Sequence, residues 1–177
     1  LEAAITMVSH DEIHANNASA IAGNPYLISS PGEYESKGIF IYAISAPTKA
    51  DSKDGKAKEN LLFRVEVEGM SLAHLGALDR ELTDEELEQL ENIDILMIPV
   101  GGGRVLTPKA ASAVISQIEP RVIIPMAHTI PNVKEKLAHV DEFCRQMGTC
   151  RREESSKLKI ARKDLPEEDV LLVTLSR

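Results

Sequence analysis

Within the stretch MVSHDEIHANN, Met7 to Asn17, the residues His10, Asp11, Glu12 and His14 crowd imidazoles and carboxylates into one short turn. These are ligand types for a divalent ion, which lowers the pKa of a bound water and polarises a substrate oxygen. His10 and His14 are four apart, the spacing of one helical face, so a helical turn would let both reach one zinc-like ion. Glu12 stands beside them, His128 is a candidate third ligand, and Asp11 is the candidate catalytic base. The competing reading is that these are polar loop residues that hold no metal.

The elements around the turn must position it. Ala3 to Val8 is an apolar run ending at Ser9 and His10, a buried strand that delivers polar groups at its C-terminal end. A helical or turn segment follows around Asn16 to Ala22, then a strand over Pro25 to Ile28 and turn chemistry in SSPGEY, Ser29 to Tyr34. Ile39 to Ala46 and Leu61 to Val67 read as strands, separated by the hydrophilic loop Thr48 to Asn60, expected to be exposed and mobile. Glu68-Gly69 turns a hairpin into a returning strand over Ser71 to Leu75.

The period then changes. Thr83 with Glu86 forms a capping box for a helix reaching about Leu90, and Thr107-Pro108 opens another reaching about Gln117. Asp94 to Val100 and Val122 to Met126 are buried strands, the first leading into Gly101-Gly102-Gly103. Asn132 to Met147 reads as an amphipathic helix closed by Gly148, and Leu158 to Ile160 and Val170 to Leu175 as two last strands. Strands first, then strand and helix in alternation, imply a layered α/β protein with a mixed sheet.

A chain of 177 residues, 43% hydrophobic and 27% charged, can bury a sizeable core and is expected to form one domain over 1–177. A net charge of -8 argues against a broad nucleic-acid surface, and 3% aromatic residues leave few stacking platforms. The one basic concentration, from Arg151 and Arg152 to Lys163, is broken by Glu153 and Glu154 and reads as a solvated connector. No apolar run approaches the ~18 residues a membrane helix needs, and the expected location is cytoplasmic. Cys144 and Cys150 are too few for a structural zinc site or a disulfide framework and are expected as free thiols.

The residues carry a family likeness. The opening strand with its VSH turn, PGEYESKGI (Pro31 to Ile39), HLGALDRELTDEELEQL (His74 to Leu90), IDILMIPVGG (Ile93 to Gly102) and IEPRVIIPMAHTIP (Ile118 to Pro131) occur in order at family-like spacing. In these the chain resembles the metallo-β-lactamase superfamily, in the branch of small metal-dependent hydrolases related to ascorbate-phosphate lactonases. The resemblance implies an αββα sandwich with metals held by loops along one edge of two sheets. It also implies strands ahead of the metal-binding turn, which starts here at residue 9: either the chain is a fragment, or those strands come from elsewhere, for example from a second copy in a homo-oligomer.

The resemblance further implies a ligand set, and there the sequence departs from the pattern. Active members use an HxHxDH turn and later His, Asp and His residues. Here His10 matches the first His, whereas Glu12, His14 and Ala15 stand where the second His, the Asp and the last His are expected. Ala77 occupies the place of the bridging Asp, Ala127 that of the final His with His128 one residue on, and Ala46 to Thr48 contains no His. Positions that act as a unit have changed together. The leading expectation is therefore a metallo-β-lactamase-fold protein with a degraded metal site and no cofactor, serving in binding or assembly. The alternative is a mononuclear zinc or manganese hydrolase of ester, lactone or phosphodiester bonds, using His10, Glu12, His14 and His128.

The remaining candidates have structural readings. His74 is expected to be a packed, hydrogen-bonded residue within a strand, and His139 a surface or boundary group in the middle of a helix. Gly101 to Gly103 lacks the Lys-Ser/Thr of a phosphate loop, so close approach of backbone is the better explanation.

Overall fold

The computed structural model describes residues 2–12, 15–49, 55–131 and 135–176. Its centre is an eight-stranded mixed sheet. Strands β3 (Gly32–Ser36), β4 (Ile39–Ser45), β5 (Leu61–Val67) and β6 (Met70–His74) form an antiparallel half, after β1 (Ile5–Met7) and β2 (Tyr26–Ile28), which pair in parallel as a small separate sheet. From β6 the sheet continues in parallel through β7 (Ile95–Pro99), β8 (Val122–Met126), β10 (Leu171–Leu175) and the edge strand β9 (Arg151–Glu153). The helices are α1 (Asp84–Gln89), α2 (Pro108–Ile118) and α3 (Val140–Met147). None among the described residues is long and apolar enough to cross a membrane.

Alternation along the strands builds separate cores on the two faces of the sheet. Leu62 of β5 joins Leu96, Ile98 and Ile123 against Val114, Ile115 and Phe143 of the helices, whereas its neighbours Leu61 and Phe63 face Ile28 and Ile41 beneath the β1–β2 pair. A third cluster, Met70, Ile95, Val122 and Val173, is covered by Leu165 with Leu158 and Ile160. The α/β architecture is as the sequence implies, with the β1–β2 pair as a separate two-stranded sheet beside the large one.

The helix starts follow their capping signals. Glu86 N–H donates to Thr83 Oγ1 at 3.3 Å and Thr83 N–H to Glu86 Oε2 at 2.9 Å, completing the capping box of α1. Thr107 Oγ1 accepts from Ala110 N–H at the start of α2, with Pro108 at its first turn. Both tight hairpins use consecutive positive φ angles, Glu68-Gly69 at 51° and 71° and Lys37-Gly38 at 56° and 78°.

Several expectations need correction. Ser29 to Tyr34 is not all turn: Gly32 onward is β3, paired with β4 through the Lys37-Gly38 hairpin. The helix expected over 132–147 covers only Val140–Met147. Residues 132–134 lie outside the described residues, and ahead of α3 the backbone is taken by tertiary partners, Ala138 N–H donating to the Gly101 carbonyl at 2.7 Å and Thr129 N–H to that of Ala138 at 3.0 Å. His139 is consequently the N-cap of α3, its Nδ1 accepting from Asp141 N–H, and not a mid-helix residue. Leu158 to Ile160 forms no strand; it packs as an irregular cover. The strand is instead β9, inside the stretch read as a connector, and its charged residues suit an exposed sheet edge. Cys144 and Cys150 are joined as a disulfide, not free: the left-handed Gly148 ends α3 and returns the chain so that their Cα atoms lie 5.3 Å apart.

Candidate functional site

The loops at the C-terminal ends of β1, β6, β7 and β8 bring the candidate residues toward one edge of the sheet. After β1, Val8 N–H still bonds the Ile28 carbonyl at 2.9 Å, and the Ser9 carbonyl accepts from Leu61 N–H at 2.7 Å. The chain then curls, with Ala15 and Asn16 N–H both donating to the Glu12 carbonyl. His10 Nδ1 lies 2.8 Å from Ser9 Oγ, and Asp11 accepts from the Asn16 side-chain amide. His14 lies outside the described residues.

At the end of β6, His74 Nδ1 accepts from Gly76 N–H at 3.1 Å, which in the neutral ring leaves the proton on Nε2. Burial first, and then the neighbouring His10, push its pKa down to about 4. Asn60, 1% exposed, holds the next turn: its Oδ1 accepts from Ala77 N–H at 2.7 Å and its Nδ2 donates to the Leu75 carbonyl. Gly76 (φ +58°) fits only without a side chain, since a Cβ would lie 2.2 Å from Asn60 Oδ1. Ala77 follows and lines the cleft, presenting a methyl group where a bridging carboxylate was the expectation for an active member.

At the end of β7, a Cβ on Gly101 would meet the Ala127 carbonyl oxygen at 2.0 Å, so the glycine run serves close backbone packing as expected. It delivers Arg104, whose guanidinium pairs with Glu12 and, through Nε at 2.6 Å, with Glu135. Lys58 Nζ lies 3.6 Å from the same Glu12 carboxylate. Lys58 is set in place by its backbone N–H to Thr48 Oγ1 and its carbonyl to Thr48 N–H, both 3.0 Å, while Lys49 N–H donates to Asp79 Oδ1 at 2.9 Å. Arg80 braces this loop from below, bonding the Pro47 carbonyl at 2.9 Å and the Glu86 carboxylate at 2.7 Å.

Together these side chains enclose a cleft of about 680 Å³ whose walls include His10, Asp11, Glu12, Lys58, Ala77 and Arg104. Burial, then Arg104 and Lys58, lower the pKa of His10, so its ring is disposed to be neutral. His10 also borders a second hollow of about 460 Å³ with Ser9, Ser29 and Ser45. His128 is not on the cleft wall, and its Nδ1 is 3.1 Å from the Thr129 carbonyl. The structure thus gathers His10, Asp11 and Glu12 but does not bring His128 to that cleft.

The fold family implies two metal ions, and one candidate ligand, His14, lies outside the described residues. Among the described residues no group of three His, Cys, Asp or Glu side chains is placed to hold a metal. Glu12 is already paired with two cations, and Ala77 offers no ligand. Sequence reasoning missed Arg104, Lys58, Lys49 and Asn60. Arg104 had one available signal, its place directly after a glycine run at a strand end; the lysines sat in a loop dismissed as exposed.

The fold and the strand-end loops define a metallo-β-lactamase-like protein. The model of the beta-lactamase superfamily domain matches residues 1–127, and the chain belongs to that family. It is 29% identical over 124 residues to a UPF0173 metal-dependent hydrolase of Pyrococcus abyssi (strain GE5 / Orsay), an alignment covering 66% of this chain and 52% of the relative. The chain thus spans about half the length of that curated relative. A crystal structure of a candidate Zn-dependent hydrolase of the metallo-β-lactamase superfamily from Thermotoga maritima superposes with a TM-score of 0.82 at 29% identity, covering 99% of this chain and 84% of that one. A candidate metal-dependent hydrolase from Parabacteroides distasonis ATCC 8503 shares the fold at 13% identity, with a TM-score of 0.65 over 98% of this chain and 76% of that one.

Proposed function

We propose that this chain is a metallo-β-lactamase-fold protein in which the metal-dependent hydrolase centre has been replaced by an ion-pair network, leaving a cleft that binds rather than hydrolyses. The observation that carries this reading is the state of Glu12. Its carboxylate, at the position where the family likeness places a histidine ligand, is engaged by Arg104 and Lys58. A metal ion competing there would have to displace two cations from the carboxylate, and Ala77 supplies no second carboxylate to bridge a pair of ions. Without a bound ion, neither a low-pKa water nor a Lewis acid is available to the site.

A second reading keeps hydrolysis. It is favoured by the 29% identity to a relative named a metal-dependent hydrolase, and it requires His10 and His14 to act with His128 on one zinc or manganese ion. Elemental mass spectrometry of protein purified without chelators or a His tag, followed by zinc and manganese titration, separates the two. The replaced-site reading expects no stoichiometric metal and no chelator-sensitive cleavage of ester, lactone or phosphodiester probes. One tightly held metal per chain, lost in both His10→Ala and His128→Ala, would establish the rearranged site instead.

A further inference from the structure

The cleft gathers four cationic side chains in a chain of net charge -8. Lys49, Lys56, Lys58 and Arg104 all line it, reaching in from the 48–58 loop and from the glycine turn after β7. Four acidic residues share the wall, Asp11, Glu12, Glu59 and Asp79, but their engagements differ. Asp11 accepts from the amide of Asn16 and Asp79 from the backbone N–H of Lys49, so both carboxylates bond neutral donors. Glu12 pairs with both Arg104 and Lys58, while Arg104 also holds Glu135 outside the wall.

We propose that the cleft is a binding site for a compact polyanion carrying two or more negative charges, in which Arg104 and Lys58 grip the ligand and Glu12 acts as their internal counter-ion when the ligand is away. This rests on the replaced-site reading and names the ligand class for it. The side chains of Lys58 and Arg104 are 65% and 42% exposed, and ion pairs that open to water contribute little net stability. Exchanging one monovalent carboxylate for a multivalent anion is therefore favourable, and the guanidinium fork suits phosphate and carboxylate oxygens alike. The volume, about 680 Å³, is that of a small-molecule site.

The test is isothermal titration calorimetry of the intact chain with pyrophosphate at fixed ionic strength in excess EDTA, with citrate as competitor. Saturable binding is expected. Arg104→Ala and Lys58→Ala should each weaken it by about tenfold or more, while Lys109→Ala, on the exposed face of α2, leaves it unchanged. Glu12→Gln should tighten it several-fold by removing the competing charge, an effect that a general loss of structure cannot produce. Displacement of pyrophosphate by citrate assigns the site to polyanions at large, and its absence narrows the ligand to phosphates. No saturable binding, or cation variants that bind like the parent, overturns the proposal. If the protein also takes up no zinc, that failure leaves the replaced-site reading standing, whereas binding that appears only after zinc is restored overturns both.

Discussion

The turns beneath the cleft and the side chains above it obey different constraints. Below, Gly76 lies so close to Asn60 and Gly101 to Ala127 that added Cβ atoms would sit at 2.2 and 2.0 Å from their neighbours' oxygens. Above, Glu12, Lys58 and Arg104 meet through partly exposed ion pairs that geometry alone does not enforce. The backbone frame is fixed by sterics and buried hydrogen bonds, which tolerate few alternatives. The groups it presents can change without disturbing it. The proposed replacement of the site's chemistry therefore asks for no change in the frame.

The sharpest way to break this contrast is Gly101→Ala. The change adds one carbon, but into backbone that cannot yield cheaply, and a loss of about 3 kcal/mol or more is expected in denaturant unfolding. A loss below about 1 kcal/mol would show that the β7 and β8 loops separate easily, and the frame would not be rigid.

Next in size is an effect of pH at His74. Its folded pKa, about 4, lies below the ordinary histidine value of 6.5, so between these values the unfolded chain binds more protons than the folded one. Stability should be full above about pH 6.5 and decline as pH falls toward 4, by on the order of 3 kcal/mol if the whole shift is realised. His10 shifts in the same direction and adds to the slope. Midpoints of urea unfolding across this range test it, and His74→Gln should flatten the profile. A smaller loss, about 2 kcal/mol, is expected for Asn60→Ala, which strands Ala77 N–H in a buried turn. Amide exchange at Ala77 should accelerate with it.

The same division explains what could be read from the sequence. Local signals were legible: the Thr83 to Glu86 capping box, Thr107-Pro108 and the Glu68-Gly69 hairpin. The buried strand expected over Ala3 to Val8 is only the three-residue β1, Ile5–Met7, half-buried with Met7 exposed. Lys37-Gly38 hid a second hairpin because lysine gives no warning of a left-handed φ. The pattern over 132–147 is amphipathic, yet α3 begins only at Val140, because Gly101 and Thr129 claim the backbone of Ala138 from elsewhere in the chain. The ion pairs around Glu12 had no local signature either. Lys58 and Arg104 lie far from it in sequence, and only the closure of three loops brings them together.

The smallest expected effect is the most discriminating. Glu12→Gln removes the carboxylate on which Arg104 and Lys58 converge, yet keeps the side chain's size and its place in the turn. If the upper layer is independent of the frame, stability should change by no more than about 0.5 kcal/mol, because exposed pairs contribute little and Arg104 retains Glu135. Equilibrium unfolding in urea at neutral pH measures this directly, and raising the salt concentration should shrink the difference further. A loss as large as that of Gly101→Ala would place Glu12 within the frame itself. The network would then be a structural clamp, and the cations it holds would not be free to exchange it for a ligand.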